Sequence, residues 1–411
     1  MKVLLSAFAC APNKGSEPGV GWNWAMALAK ENDVMVITRE ENRSEIEEYR
    51  SEHDLPFKVE YFGIDWFEKH KSIPFQKNLY TSRWQREVVG FAQKLNQENK
   101  FDLCHHITYA SYKYPSELYK LGIPLVVGPV GGGEKTPPSC RRVFSLRTKM
   151  IEAIHDLQID LTARSSTFKK MCNGAARILL TTTDTYNCMP TRIRHKCGVM
   201  QTIGIDQTEI LPNGYPAWED SNPVEFLFIG NLLAWKGVML LVDIAEKLRD
   251  ENIVFGVVGD GPEKEKMVDK INGKSLEKKF RFYGKIDRAE VLTRLDKAQA
   301  FIFPSFHDSG AMVVLEAMAR RVPVVALATG GPGVHVTEKT GYGINAGQSY
   351  ENIIRDFSDV CKVIIRGYEK GAYLDMHSKI DNATSYLLNE CTWDGKAEKM
   401  QAEYEKLVNV Q

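Results

Sequence analysis

The chain has 411 residues, with Lys plus Arg equal to Asp plus Glu at 53 each. That balance excludes an overall field that draws it to nucleic acid or an anionic membrane, so recognition must be local. The length predicts two or three domains, no run approaches the ~18 apolar residues of a spanning helix, and eight cysteines without a Cys-x-x-Cys pair resemble the reduced, buried thiols of an intracellular enzyme rather than a disulfide framework.

The first apolar run, Val3–Ala9, barely reaches the length of an export signal and has one Lys before it. Asn13–Gly21 (NKGSEPGVG) then reads as a glycine-rich turn and Trp22–Lys30 (WNWAMALAK) as helix-compatible. Strand, glycine loop and helix open a nucleotide-handling α/β domain, so the run is read as a buried first strand. Further strands are predicted at Val34–Thr38, Lys58–Phe62, Leu103–Ile107, Pro124–Val127 and Ile178–Thr181. Leu211–Pro223 is dense in turn residues and is placed as a domain boundary. A second series follows at Val224–Ile229, Ile253–Val258, Arg281–Tyr283, Ala300–Phe303 and Pro323–Ala326, with Leu241, Ile244, Ala245 and Leu248 on one face of an intervening helix. Strands alternating with helices predict an α/β protein of two doubly wound, Rossmann-like domains with parallel sheets facing across a cleft. The expected divisions are 1–212, 223–386 and a final helix over 387–411 behind a Thr-Trp-Asp-Gly turn.

Chemistry concentrates at strand ends. In Phe303–Arg320 (FPSFHDSGAMVVLEAMAR) the chain leaves a strand, turns, and enters a helix whose first N–H groups come from Gly310, Ala311, Met312 and Val313. Such a terminus suits a diphosphate. Asp308 lies in the loop and Glu316 in an apolar helix. The plain alternative is a helix cap and a solvated side chain, but an acid flanked by Leu315 and Ala317 needs a buried partner. Gly230-Asn-Leu-Leu-Ala-Trp-Lys-Gly237 is the matching loop of the second domain's first strand, where Lys236 meets the same phosphates or is an ordinary surface lysine. Gly259 and Gly261 make a third loop that permits close backbone approach or is only a tight turn.

In the first half the cleft would be lined by Lys14–Gly21 with Gly19, by His105 and His106, and by Gly128–Glu134 with Gly131 and Gly132. Adjacent histidines leave a strand on opposite faces, so one is expected in the cleft and the other packed. No His, Cys and carboxylate cluster has metal-ligand spacing. Gly19-Val-Gly21 resembles a dinucleotide fingerprint, but the glycines sit well past the strand and Trp24 takes the third glycine's place, which disfavours a nicotinamide enzyme. Arg141, Arg142, Arg147, Lys149, Arg164, Lys169 and Lys170 mix with apolar residues, as in a solvated helix face or a membrane contact.

Taken together, Gly15–Gly21, Gly128–Glu134, Pro212–Gly214, Gly230–Gly237, Val258–Pro262 and Phe303–Gly333 resemble a GT-B glycosyltransferase of the retaining family 4, over nearly the whole chain. The family's paired acids stand here as Asp308 and Glu316. By that resemblance Glu316 holds the donor ribose, Asp308 the transferred sugar, Gly310–Val313 the diphosphate, and His105 or His106 positions the sugar. The implied function is retaining, metal-independent transfer of a sugar from a UDP- or GDP-linked donor to a glycan or lipid-linked acceptor hydroxyl, in polysaccharide biosynthesis. The implied place is the cytosol, with the inner membrane face as a possible peripheral contact. Where the family carries an arginine that neutralises the diphosphate, this chain has Asn231; either Lys236 works with one fewer cation, or another group such as Arg320 or a cleft histidine substitutes. That departure also keeps open a non-catalytic nucleotide- or glycan-binding relative.

Overall fold

The computed structural model describes residues 1–64, 76–111, 113–215, 223–370 and 373–408. It divides into two compact units. The first comprises Met1–Gly133, Asp156–Gly204 and Trp393–Gln411, the second Glu134–His155 and Ile205–Thr392. The units change at Gly204/Ile205 and Thr392/Trp393, and the assignment of Glu134–His155 to the second unit has no local signal in the chain. Residues 216–222 of the expected boundary, and 409–411 of the last helix, lie outside the described residues.

The first unit holds a seven-stranded parallel sheet in the order β3-β2-β1-β4-β5-β6-β7. Its strands are β1 (Lys2–Ala7), β2 (Asp33–Arg39), β3 (Lys58–Phe62), β4 (Leu103–Thr108), β5 (Leu125–Val130), β6 (Arg177–Leu180) and β7 (Cys197–Val199). The opening run is therefore the central strand, with Val3, Leu4 and Leu5 fully buried between β2 and β4. The second unit holds a six-stranded parallel sheet, order β10-β9-β8-β11-β12-β13. These are β8 (Val224–Ile229), β9 (Ile253–Val258), β10 (Phe280–Gly284), β11 (Ala300–Phe303), β12 (Val324–Leu327) and β13 (Tyr342–Ile344). All eleven strands expected from apolar runs form. The two that were not expected, β7 and β13, are three-residue strands at sheet edges, where one missing neighbour removes the need for an apolar run.

Phe226, Phe228, Phe255, Phe301 and Phe303 are entirely buried in the second sheet, each contributing about 1.5–3 kcal/mol relative to exposure. Strands covered on both faces lose the alternating pattern and read as continuous apolar runs, which is why they were legible.

The helix Ser16–Leu28 starts six residues earlier than the Trp22 expected. Gly19 and Gly21 are therefore helical, and a Cβ on either would lie within 2.1 Å of the carbonyl oxygens of Lys14 and Ala9. The final helix begins at Trp393, and Leu387–Cys391 before it is a separate π-helical turn. Within the first unit it packs on the opening helix through Trp24 and Trp393, ring centroids 6.1 Å apart and edge to face.

Candidate functional site

In each sheet the strand order reverses beside the first strand of the series, and loops at the carboxyl ends of strands flanking such a switch point meet. In the second unit those strands are β8 and β11, paired through Phe226 with Ala300 and Leu227 with Phe301. Their loops carry Lys236 and Asp308. Gly237, at φ 72°, closes the first loop, and a Cβ there would lie 2.0 Å from the Pro304 carbonyl oxygen. The N–H of Phe306 donates to Trp235 O at 2.8 Å. Backbone contact and the Ser305 hydroxyl, which donates to Trp235 O at 3.4 Å, thus lay two loops distant in sequence side by side.

That contact delivers an ion pair. Lys236 Nζ donates to Asp308 Oδ2, with the two side chains 19% and 18% exposed, and the ammonium stands 5.2 Å from the centroid of the Phe303 ring. The other carboxylate oxygen, Oδ1, accepts from the N–H groups of Gly310 at 3.3 Å and Ala311 at 3.2 Å. Asp308 O in turn accepts from Gly331 N at 2.6 Å. The helix runs from Met312 to Ala319, and Ala311 before it is held at φ 49°. A left-handed alanine costs about 1–2 kcal/mol, and the buried Ala311 is the pivot that swings the chain from loop to helix.

Asp308 is thus not the helix cap, a position held by Ala311 without a side-chain bond; its carboxylate binds the two N–H groups that lead into the helix. A carboxylate sits between an ammonium group and the first N–H groups of a helix entrance, which is the geometry of an anion site filled by the protein's own anion. The N–H groups of Met312 and Val313 follow in the first helical turn, where N–H groups have no intrahelical acceptor.

Glu316 lies one turn further in, only 8% exposed. Its partner is Arg288, whose Nε donates to Oε1 at 3.0 Å while Nη2 reaches Glu209 Oε2 at 2.5 Å. Burial pushes the Glu316 carboxyl above the usual carboxylate range, and Arg288 opposes that shift.

The other expected residues divide. Gly230 N donates to Val258 O at 3.0 Å and Leu232 N to Asp260 O at 2.9 Å. Gly259, at φ 131°, would place a Cβ 2.0 Å from Gly230 O, and Gly261 one 2.5 Å from Leu232 O. These two glycines let one loop lie on another. Asn231 is exposed at the same turn. Arg320 does not replace the arginine missing there: it is at the far end of the Met312–Ala319 helix, clamped on Asp296 by two bonds of 2.5 Å.

In the first unit the histidine expectation is corrected. His105 is 0% and His106 1% exposed, so neither ring faces a solvent-accessible site. His105 Nε2 lies 2.7 Å from Gly128 O and Nδ1 2.5 Å from Tyr404 Oη. A carbonyl only accepts, so Nε2 carries the hydrogen and Nδ1 accepts from the tyrosine hydroxyl. His106 Nδ1 is 3.3 Å from Ser6 Oγ. Burial pulls the two rings down to about 4 and about 3. β4 is covered on both faces, so alternation there chooses between two interiors. Gly19 is packed inside its helix, Gly131 pairs with Ser111, and Gly132 turns at φ 93°.

One group next to the site was not anticipated. His307 is stacked between Trp235 (centroids 5.7 Å apart, planes 15°) and His155 (5.5 Å, 12°). Its Nε2 lies 3.4 Å from Oε2 of Glu152, which is buried and also accepts from the Thr136 hydroxyl at 2.5 Å. Burial raises the Glu152 carboxyl, but hydrogen bonds from His307 and Thr136 outweigh it and hold the group below the usual range. His307 precedes Asp308, so the Glu134–His155 segment is fastened to the anion loop within the second unit. Adjacency to Asp308 was the available signal for His307; nothing local marked Glu152.

The two units, each built on a parallel Rossmann-like sheet, have the fold of the GT-B glycosyltransferases. It aligns with the lipopolysaccharide outer core galactosyltransferase WaaB in its apo form at a TM-score of 0.66, with 14% identity, over 99% of this chain and 100% of the other. Anabaena HepE, solved with UDP, aligns at 0.61 with 15% identity over 99% and 100%. At these identities the likeness concerns the fold. Residues 217–362 match the family model Glycosyl transferases group 1. A 2-deoxystreptamine N-acetyl-D-glucosaminyltransferase of Niallia circulans is 35% identical over 108 residues, 26% of this chain and 28% of the relative. Glycogen synthase of Mycobacterium tuberculosis is 28% identical over 140 residues, 32% and 34% of the two chains. The chain thus spans about a third or less of the length of these relatives.

Proposed function

We propose that the protein is a glycosyltransferase that moves a sugar from a nucleoside-diphosphate donor, UDP- or GDP-linked, to a hydroxyl of a glycan or lipid-linked acceptor with retention of configuration, in polysaccharide or glycolipid assembly. The observation that carries this reading is the Asp308 carboxylate held between Lys236 and the N–H groups of Gly310 and Ala311. A donor diphosphate has the charge and oxygen spacing to take those partners over. Lys236 and the helix entrance then stabilise the charge that builds on the leaving diphosphate as the sugar becomes oxocarbenium-like. Displaced, the Asp308 side chain is free to accept hydrogen bonds from hydroxyls of the transferred sugar. Glu316, one turn further along, accepts from the ribose hydroxyls. No protein nucleophile enters the scheme: the acceptor attacks on the face the diphosphate leaves, and a phosphate oxygen takes its proton. The group 1 match over 217–362 and the glycosyltransferase names of the relatives support the reading.

The test is release of nucleoside diphosphate from a panel of UDP- and GDP-sugars, with the anomeric configuration of the product read by NMR. Release that is unchanged in Lys236→Ala counts against the proposal. Asn231 motivates a second reading, a nucleotide- or glycan-binding protein without turnover; binding of UDP or GDP with no donor cleaved over hours would favour it.

A further inference from the structure

The loop that carries Asp308 is gripped by the Glu134–His155 segment of the same unit at two consecutive residues. Phe306 is entirely buried and packs on Phe144, ring centroids 5.7 Å apart. His307, next along, stacks on both His155 and Trp235. Trp235 precedes Lys236 as His307 precedes Asp308, so the ring contact and the ion pair are successive rungs between the same two loops.

The edge of the His307 ring is held as well. Glu152, its side chain only 3% exposed, has two hydrogen-bonding partners among the described residues. Thr136 Oγ1 donates to its Oε2 at 2.5 Å, and His307 Nε2 lies 3.4 Å from Oε2 and 3.5 Å from Oε1. A carboxylate only accepts, so Nε2 carries the hydrogen. A buried carboxylate is costly unless its oxygens are satisfied, so acid and ring constrain each other. Stacking fixes the plane of the ring and the edge contact fixes its rotation within that plane, the arrangement that locks a side chain in one rotamer.

On the proposed function, on which this inference rests, a donor diphosphate takes over the partners of the Asp308 carboxylate, and Asp308 then meets hydroxyls of the transferred sugar. The loop is at that stage held by the bond from Gly331 N to Asp308 O and by the fixed ring of the preceding residue. We propose that Glu152 is a positioning residue for turnover: through the edge of the His307 ring it fixes the backbone from which Asp308 reaches the sugar. A displacement of about 1 Å at a group that contacts the reacting sugar costs up to ~100-fold in rate, so a contact remote from the chemistry can govern it.

The test uses the full chain and whichever UDP- or GDP-sugar it cleaves fastest. For H307F, E152A, E152Q and H307F/E152A, kcat, KM, the affinity for the matching free diphosphate and the unfolding temperature are measured. H307F keeps a stacked ring and loses the edge contact, while E152Q keeps an oxygen that accepts it. The expected kcat is roughly tenfold lower in H307F and in E152A, the worth of one charge-assisted contact. E152Q recovers most of the loss, diphosphate affinity stays within about twofold throughout, and the double variant is no slower than either single one. An H307F enzyme as fast as wild type overturns the inference. So do losses that multiply in the double variant, or diphosphate affinity and unfolding temperature that fall together with kcat, since the contact is then a structural stitch. If E152A does not fold, H307F and E152Q decide by the same criteria. A wild type that cleaves no donor removes the proposed function and this inference together, whereas an active wild type with unaffected variants removes this inference alone.

Discussion

Lys236 and Asp308, 72 residues apart, are joined in an ion pair at the entrance of the Met312–Ala319 helix. Each is held by a loop at the end of a neighbouring strand, and Asp308 also satisfies two backbone N–H groups. On the proposed function, the carboxylate competes with a donor diphosphate for these partners.

Removing that competitor should separate binding from turnover. Asp308→Asn is expected to bind free UDP or GDP at least as tightly as wild type, while Lys236→Ala binds roughly 10- to 100-fold less, the worth of one charge-assisted contact. Both should lose most of their transfer activity. Isothermal titration calorimetry beside a donor-cleavage assay checks this, and tighter binding by Lys236→Ala would contradict it.

Arg288 keeps a buried acid tolerable. Without it Glu316, whose carboxyl is already raised by burial, would ionise at neutral pH with no close partner. A raised folded value means that the native state holds its proton longer than the unfolded chain, so stability falls as pH rises through that range. Arg288→Ala should therefore lower the unfolding temperature more at pH 8 than at pH 5. The cost is about 1 kcal/mol, modest because the guanidinium is half exposed. An equal loss at both pH values would mean that Glu316 is not the group left unpaired.

His105 and His106 predict acid sensitivity of the first unit. Their folded values, about 4 and about 3, lie below that of an unfolded histidine near ~6.5. The unfolded chain therefore binds protons that the native state refuses, and stability is lost as pH falls from about 6.5 towards 4. His106→Gln should flatten that decline, as followed by circular dichroism during acid titration. Tyr404→Phe removes the hydroxyl that His105 Nδ1 accepts from, at a cost of about 1–3 kcal/mol.

Gly259→Ala tests the loop stack. The new Cβ would overlap Gly230 O, and the backbone at φ 131° disfavours any side chain. The turn carrying Asn231 must shift, so both the unfolding temperature and nucleotide affinity should fall, whereas Gly273→Ala, where a Cβ meets nothing within 4 Å, should change neither. Differential scanning fluorimetry with and without UDP reads both effects.

Of the His307 neighbourhood, His307 and Trp235 stood in loops marked by sequence, whereas Glu152 did not. Glu152 is reached because its helix turns its buried side toward the anion loop, a fact set by packing. The same rotation exposes Leu146, Met150 and Ile154. A row of aliphatic residues at helical spacing signals a buried face by default, so no reading of the chain alone would have placed these in solvent. The histidines of β4 failed for a related reason: strand periodicity states that neighbours point oppositely, but not what covers either face.

The sequence by itself determined the two parallel sheets, the order of their central strands' apolar runs, the loops at strand ends where Lys236 and Asp308 reside, and the helix that carries Glu316, because these are consequences of local hydrophobic pattern and backbone chemistry. Only the tertiary structure decided that Asp308 pairs with Lys236 and the N–H groups of Gly310 and Ala311, that Arg288 offsets Glu316, that His105 and His106 are interior groups, and that Glu134–His155 joins the second unit. Those outcomes depend on which surfaces meet across tens to hundreds of residues, and burial, the quantity that sets their energies, has no local signature.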